Sequence, residues 1–146
     1  MILLLMLATT FAMASDVKYP LSKDKISVVM QAIEQSRTGK EDVCLGDCGS
    51  PELRKQIVQN AAWGIVDKSN VKSKRRSGIT TYFDKKTKRS IEHVDVKLDF
   101  VNEGKMIFTI YLESYMAPLG GLRNKTYTFT RMKGKWVLKK ESTVVN

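Results

Sequence analysis

The chain has 146 residues, 42% of them hydrophobic, and a formal net charge of +10. That length makes one domain, large enough to bury a real core. The charge is not spread evenly: residues 72–89 hold eight basic side chains against Asp84 alone, whereas residues 15–71 balance to zero.

The first fourteen residues carry no charged side chain and end in Ala12-Met13-Ala14. An apolar run with a small-x-small exit reads as a secretory signal peptide. We therefore expect a signal segment over 1–14, a single mature domain over 15–146, and a periplasmic or secreted location. The run is about half of what a bilayer-spanning helix needs, so no permanent membrane anchor is expected. A buried N-terminal helix is the alternative, and the missing basic residue before the run leaves open whether Met1 is the true start.

Leu21-Ser22 opens a helix, with Ser22 as N-cap and Leu21 and Ile26 at the hydrophobic-staple positions. Ile26, Val29, Met30 and Ile33 recur at helical spacing, and Gly39 is placed to stop the helix. Cys44 and Cys48 are the only cysteines. In an oxidising compartment they read as a disulfide closing a tight loop. A metal site has less to offer, because tetrahedral zinc takes four ligands and His93 is the only histidine. Ser50-Pro51-Glu52 then sets an N-cap, an N1 proline and an acidic first turn. The second helix is expected to run to about Lys68, with Leu53, Ile57, Ala61, Gly64 and Ile65 on one stripe.

After Asn70 the period changes from helical to alternating. Strands are expected over 79–83 and 91–101, the latter with Val94, Val96, Leu98 and Phe100 on one face and His93, Asp95, Lys97 and Asp99 on a solvated other. A turn at Asn102-Glu103-Gly104 leads to a strand through Met106, Phe108, Ile110 and Leu112. That strand is apolar on both faces, which predicts a central position. A closing hairpin uses Tyr127, Phe129 and Arg131, a tight turn at Lys133-Gly134, and Trp136 and Leu138. The expected fold class is α+β: two N-terminal helices packed on a curved antiparallel sheet of about five strands.

The ending Tyr127-x-Phe129-x-Arg131-x-x-Gly134-x-Trp136-x-Leu138, after helices and an antiparallel sheet, resembles the NTF2-like (cystatin-like α+β) superfamily. The likeness covers the last third of the chain by residues and the remainder by element order. It implies a sheet wrapped into a cone whose mouth holds a ligand or plugs a partner. Small exported members of that superfamily include immunity proteins and subunits of secretion machines, although a fold alone does not assign either role.

No nucleophile elbow, phosphate loop or dinucleotide glycine pattern is present. His93 and Asp95 share a strand face and could do acid–base work only if buried and aligned. The expectation is a non-enzymatic protein without a cofactor. The basic segment Lys72, Lys74, Arg75, Arg76, Lys85, Lys86, Lys88 and Arg89 would in a cytoplasmic chain point to nucleic acid. In an exported chain it points to an acidic protein partner, against a simple solvated rim. A second candidate surface is the loop carrying Met116, Leu119, Leu122 and Arg123, whose apolar tip could fill a partner's cleft, against Leu119 and Leu122 folding back under the sheet as a satellite core. Asn124-Lys125-Thr126 is a glycosylation sequon in a eukaryotic setting. Three functions compete: an exported binding module such as an immunity-type inhibitor, an assembly component of an envelope secretion or conjugation system that can self-associate as a homodimer, and a pocket enzyme or small-ligand carrier that uses the cone interior with His93 as its one named residue.

Overall fold

A computed structural model describes residues 17–37, 41–113 and 122–145. Among them are two α-helices and seven strands: α1 (Lys23–Ser36), β1 (Val43–Leu45), α2 (Pro51–Asn60), β2 (Val71–Arg76), β3 (Ile79–Asp84), β4 (Ser90–Val101), β5 (Lys105–Glu113), β6 (Leu122–Met132) and β7 (Lys135–Val145). The sheet order is β2-β3-β4-β5-β6-β7, an antiparallel meander, with β1 added in parallel to β4. The fold is thus α+β with a mostly antiparallel sheet, and it has two more strands than expected. The segment expected to be a signal peptide, the stop at Gly39, Met116 and Leu119 lie outside the described residues.

Local chemistry explains where the helices start. Ser50 Oγ accepts the Leu53 N–H at 3.2 Å and Pro51 follows at the first helical position, as its fixed φ favours. Ser22 precedes α1, but its hydroxyl donates to Asp24 Oδ1 at 2.6 Å instead of capping a backbone N–H. Leu21 and Ile26 are both buried in the core, as the staple positions predict.

α2 ends at Asn60, well short of Lys68. The residues expected to continue it run beside β1 instead: Val43 N–H donates to Gly64 O and Val66 N–H to Val43 O, both at 2.8 Å. A Cβ on Gly64 would lie 2.4 Å from Asp42 Oδ1, so a side chain there would have to displace the exposed Asp42 carboxylate. Backbone pairing with β1 outweighs the helical stripe that Ile65 would have continued.

Val29, Ala32 and Ile33 of α1 and Leu53 and Ile57 of α2 pack against Val94, Val96, Met106, Phe108, Ile110, Leu112 and Tyr127. Full burial of such side chains is worth roughly 1.5–3 kcal/mol each before entropy is set against it. β5 lies between β4 and β6, the central place its two-sided apolarity predicts. A register shift between Leu98 and Phe100 makes Asp99 the extra residue of a bulge. Beyond it Val101 pairs with Met106 and Phe100 with Ile107, so Phe100 leaves the face it was expected to share with Leu98. The opposite face of β4 is less solvated than its polarity suggested, with His93 and Asp95 only half-exposed.

The expected Cys44–Cys48 disulfide is not formed; both residues are free, buried cysteines. Strand alternation accounts for it. Val43 and Leu45 turn into the core, so Cys44 between them turns to the other side, while Cys48 belongs to the core cluster. Burial raises both thiols, Cys48 to about 12, which keeps them protonated.

Candidate functional site

The basic segment folds as one hairpin and the turn that follows it. β2, which sequence reading left unassigned, is Val71-Lys72-Ser73-Lys74-Arg75-Arg76, and all of it after Val71 is exposed. No apolar alternation announces such a strand. The signal that could have found it is Ser77-Gly78, a two-residue turn in which both residues adopt positive φ (53° and 79°). Arg76 pairs with Ile79, Lys74 with Thr81 and Lys72 with Phe83.

This register divides the cations. Lys72, Lys74 and Arg76 share one face with Phe83 and Thr81, while Arg75 stands on the other with Tyr82. The turn after β3 is held by Asp84: its N–H donates to Arg89 O and its carbonyl accepts from Lys88 N–H, both at 2.9 Å, and its Oδ1 accepts from Lys86 N–H at 2.8 Å. Lys88 takes a positive φ of 62° there. Lys85 Nζ turns back to Ser69 O at 3.0 Å.

The turn walls an open basin of about 690 Å³ lined by Lys72, Lys74, Phe83, Asp84, Lys85 and Lys88. A second depression of about 550 Å³ shares Asp84 and Lys88 with it and is also lined by Arg89, Thr87 and Ser90 together with Glu41 and Asp42. None of the eight cations in this segment forms an ion pair within 4.0 Å among the described residues. One basin therefore combines the Phe83 ring with four lysines against the single carboxylate of Asp84.

Tyr82 fixes the hairpin to the sheet. Its ring stacks on His93 at 5.3 Å between centroids, and its hydroxyl donates to Glu113 Oε2 at 3.0 Å, reaching across β4 to β5. Burial, then the Glu113 hydrogen bond and charge, push the Tyr82 hydroxyl up to about 12, so it stays a donor at neutral pH. Asp95, the expected neighbour of His93 in any acid–base pair, is engaged otherwise. Its Oδ1 accepts the N–H groups of Cys48 and Val96, each at 2.9 Å.

The second candidate surface does not join the first. Leu122 and Arg123 begin β6, opposite Glu113 and Leu112, and two strands, β4 and β5, lie between β6 and β3 in the sheet order. Arg123 Nε and Nη2 are buried with no hydrogen-bond partner among the described residues. No cluster of His, Cys, Asp and Glu able to hold a metal is found among the described residues. No described helix is long and apolar enough to cross a membrane.

No family model, no curated protein and no solved structure matches this chain.

Proposed function

We propose that this protein is an exported protein-binding module that engages an acidic partner through the β2–β3 hairpin and the 84–89 turn, with an immunity-type inhibitor of an antibacterial effector as its most concrete version. The observation that carries this reading is the basin lined by Phe83 and by Lys72, Lys74, Lys85 and Lys88, four lysines against Asp84 alone. An aromatic contact supplies a desolvated anchor and the lysines supply steering and selectivity for acid. The NTF2-like resemblance extends the proposal: bulges between Leu98 and Phe100 on β4 and where Thr128 and Phe129 of β6 meet β7 favour a curved, cone-like sheet.

The test compares the protein with a Lys72→Glu/Lys74→Glu/Lys86→Glu/Lys88→Glu variant as immobilised bait for an envelope extract, eluting with salt. Recovery of an acidic protein by the parent alone, released between low and moderate salt, supports the reading. Equal recovery by the variant, or release that ignores salt, overturns it.

A second reading, assembly by self-association, rests on β7. That strand ends the sheet and is exposed along nearly its whole length, with Val137, Leu138, Val144 and Val145 between 38% and 53% exposed. A long, partly apolar edge is a pairing surface. Sedimentation equilibrium showing a monomer at high concentration would remove this alternative.

A further inference from the structure

We infer that the acidic partner binds as an added β-strand along the outer edge of β2, an inference that rests on the proposed function and specifies its mode. β2 ends the sheet, and among the described residues only β3 pairs with it. Arg76 and Ile79 close a two-residue turn, and Lys85 N–H donates to Asn70 O at 2.8 Å. Hydrogen-bonded and non-hydrogen-bonded pairs alternate along an antiparallel ladder. Asn70, Lys72, Lys74 and Arg76 therefore direct their backbone groups to the β3 side, and Ser73 and Arg75 direct theirs outward.

This edge has a chemical preference. Its six residues carry four basic side chains and no acidic one. A second copy pairing here would set lysine and arginine against their own kind, which is how edges are normally closed to self-association. The same charges invite a strand of opposite sign. On an antiparallel addition, incoming residues opposite Lys72, Lys74 and Arg76 form the non-hydrogen-bonded pairs, in which side chains approach most closely. Acidic residues at those alternate positions meet three cations on one face. The residues between them exchange backbone hydrogen bonds with Ser73 and Arg75. Main-chain bonding then supplies affinity and the alternate charges supply specificity. The occupant is thus an extended segment with acid at every second position.

The probe is a synthetic peptide of about seven residues, a typical strand length, in which Glu and Val alternate, used with the full chain. Two isomers carry the same number of N-methyl groups, one on the Val amides that would face β2 and one on the Glu amides that would face away. The expected result is that methylated Val amides weaken binding by about tenfold or more, the weight of one or two hydrogen bonds, and methylated Glu amides leave it unchanged. Amide exchange of Ser73 and Arg75 slows on binding, while that of Lys72 and Lys74 does not change. Ser73→Pro, which removes an outward N–H and spares the β2–β3 ladder, loses the peptide, and Ser73→Ala keeps it.

Salt-sensitive binding in which both isomers bind alike and Ser73 and Arg75 exchange as before overturns strand addition and leaves the charge-based function standing. Failure of the peptide to bind, or binding indifferent to Lys72→Glu/Lys74→Glu, overturns both. Protection of Ser73 and Arg75 that rises with protein concentration and no peptide gives the edge to a second copy and also overturns the inference.

Discussion

Trp136 Nε1 donates to Asp24 Oδ2 at 3.2 Å, tying the start of β7 to the first turn of α1 across 112 positions of sequence. Arg131 closes the same corner, with its guanidinium 3.4 Å from that carboxylate oxygen and 6.0 Å above the Trp136 ring. The Ser22 hydroxyl first, then the Trp136 N–H and the Arg131 charge, hold Asp24 down at about 2. A carboxyl whose pKa is lowered on folding contributes stability that is present above its unfolded value, near 4, and is lost as pH falls through the folded value. Asp24→Asn should therefore lower the Tm by a small amount that is constant above about pH 5 and fades as the pH falls through about 2. Parallel melting curves of parent and variant across that range check it. Because the site is exposed, added salt should shrink the difference.

Gly46→Ala should be destabilising by about 1–3 kcal/mol, as overpacked sites are. A Cβ there would lie 2.6 Å from Asp95 Cγ, and Asp95 has no room to move because it holds the Cys48 and Val96 N–H groups. Urea unfolding measures the loss. Combining the change with Asp95→Ala should cost less than the sum of the two, since both act on one contact.

Arg37→Ala should cost roughly 3 kcal/mol, in the range seen when one member of a buried ion pair is removed. Arg37 Nε lies 3.0 Å from Glu92 Oε1, and both side chains are nearly inaccessible, at 4% and 1%. Its Nη2 donates to Glu41 O and its guanidinium covers the Trp63 ring at 5.0 Å. Lysine cannot reproduce these planar contacts together, so Arg37→Lys should recover less than half of the loss. Trp63 near-ultraviolet dichroism reports the site independently.

Neither cysteine should react with a thiol reagent in the native protein at pH 8, and two should react in guanidinium. Both are buried and both thiols are raised, Cys48 to about 12. Reagent titration with and without denaturant reads this directly. Zero thiols in denaturant would mean that the two are joined after all.

Tyr127→Phe should destabilise by about 0.5–1.5 kcal/mol, the net value of a hydrogen bond. The lost contact is the 2.5 Å bond between the Tyr127 hydroxyl and Ser36 Oγ, which itself donates to Ala32 O. The stacked Phe108, Tyr127 and Phe129 rings survive the change, so the tertiary dichroism of the core should persist.

The parts of this fold that could be read beforehand are those where one local rule decides. The Ser50-Pro51 start of α2, the turn at Lys133-Gly134 with φ values of 51° and 76°, and the central place of β5 are such cases. What escaped was decided by partners distant in sequence. β1 is three residues long and exists because β4 receives it on one side and Gly64 and Val66 on the other. β2 has no apolar face to reveal it, and it is a strand only through β3. Phe100 changed sides because of a single extra residue, Asp99, which no periodicity anticipates. At the candidate site the charges were legible from composition. Their division between two faces, and the placing of Phe83 with one set, needed the register.

The strand order also bears on the timing of assembly. Each strand from β3 to β7 docks on the one made just before it, so the sheet can grow by short steps as the chain lengthens. The helices gain nothing from this convenience. Val29, Ile33, Leu53 and Ile57 leave the ribosome first, yet Phe108, Ile110 and Tyr127, which cover them, are among the later residues to appear. Until β5 and β6 arrive, the amino-terminal third carries a naked apolar surface with nowhere to go. A newborn chain of this design is at its stickiest halfway through synthesis, and that is the interval in which a chaperone would be needed.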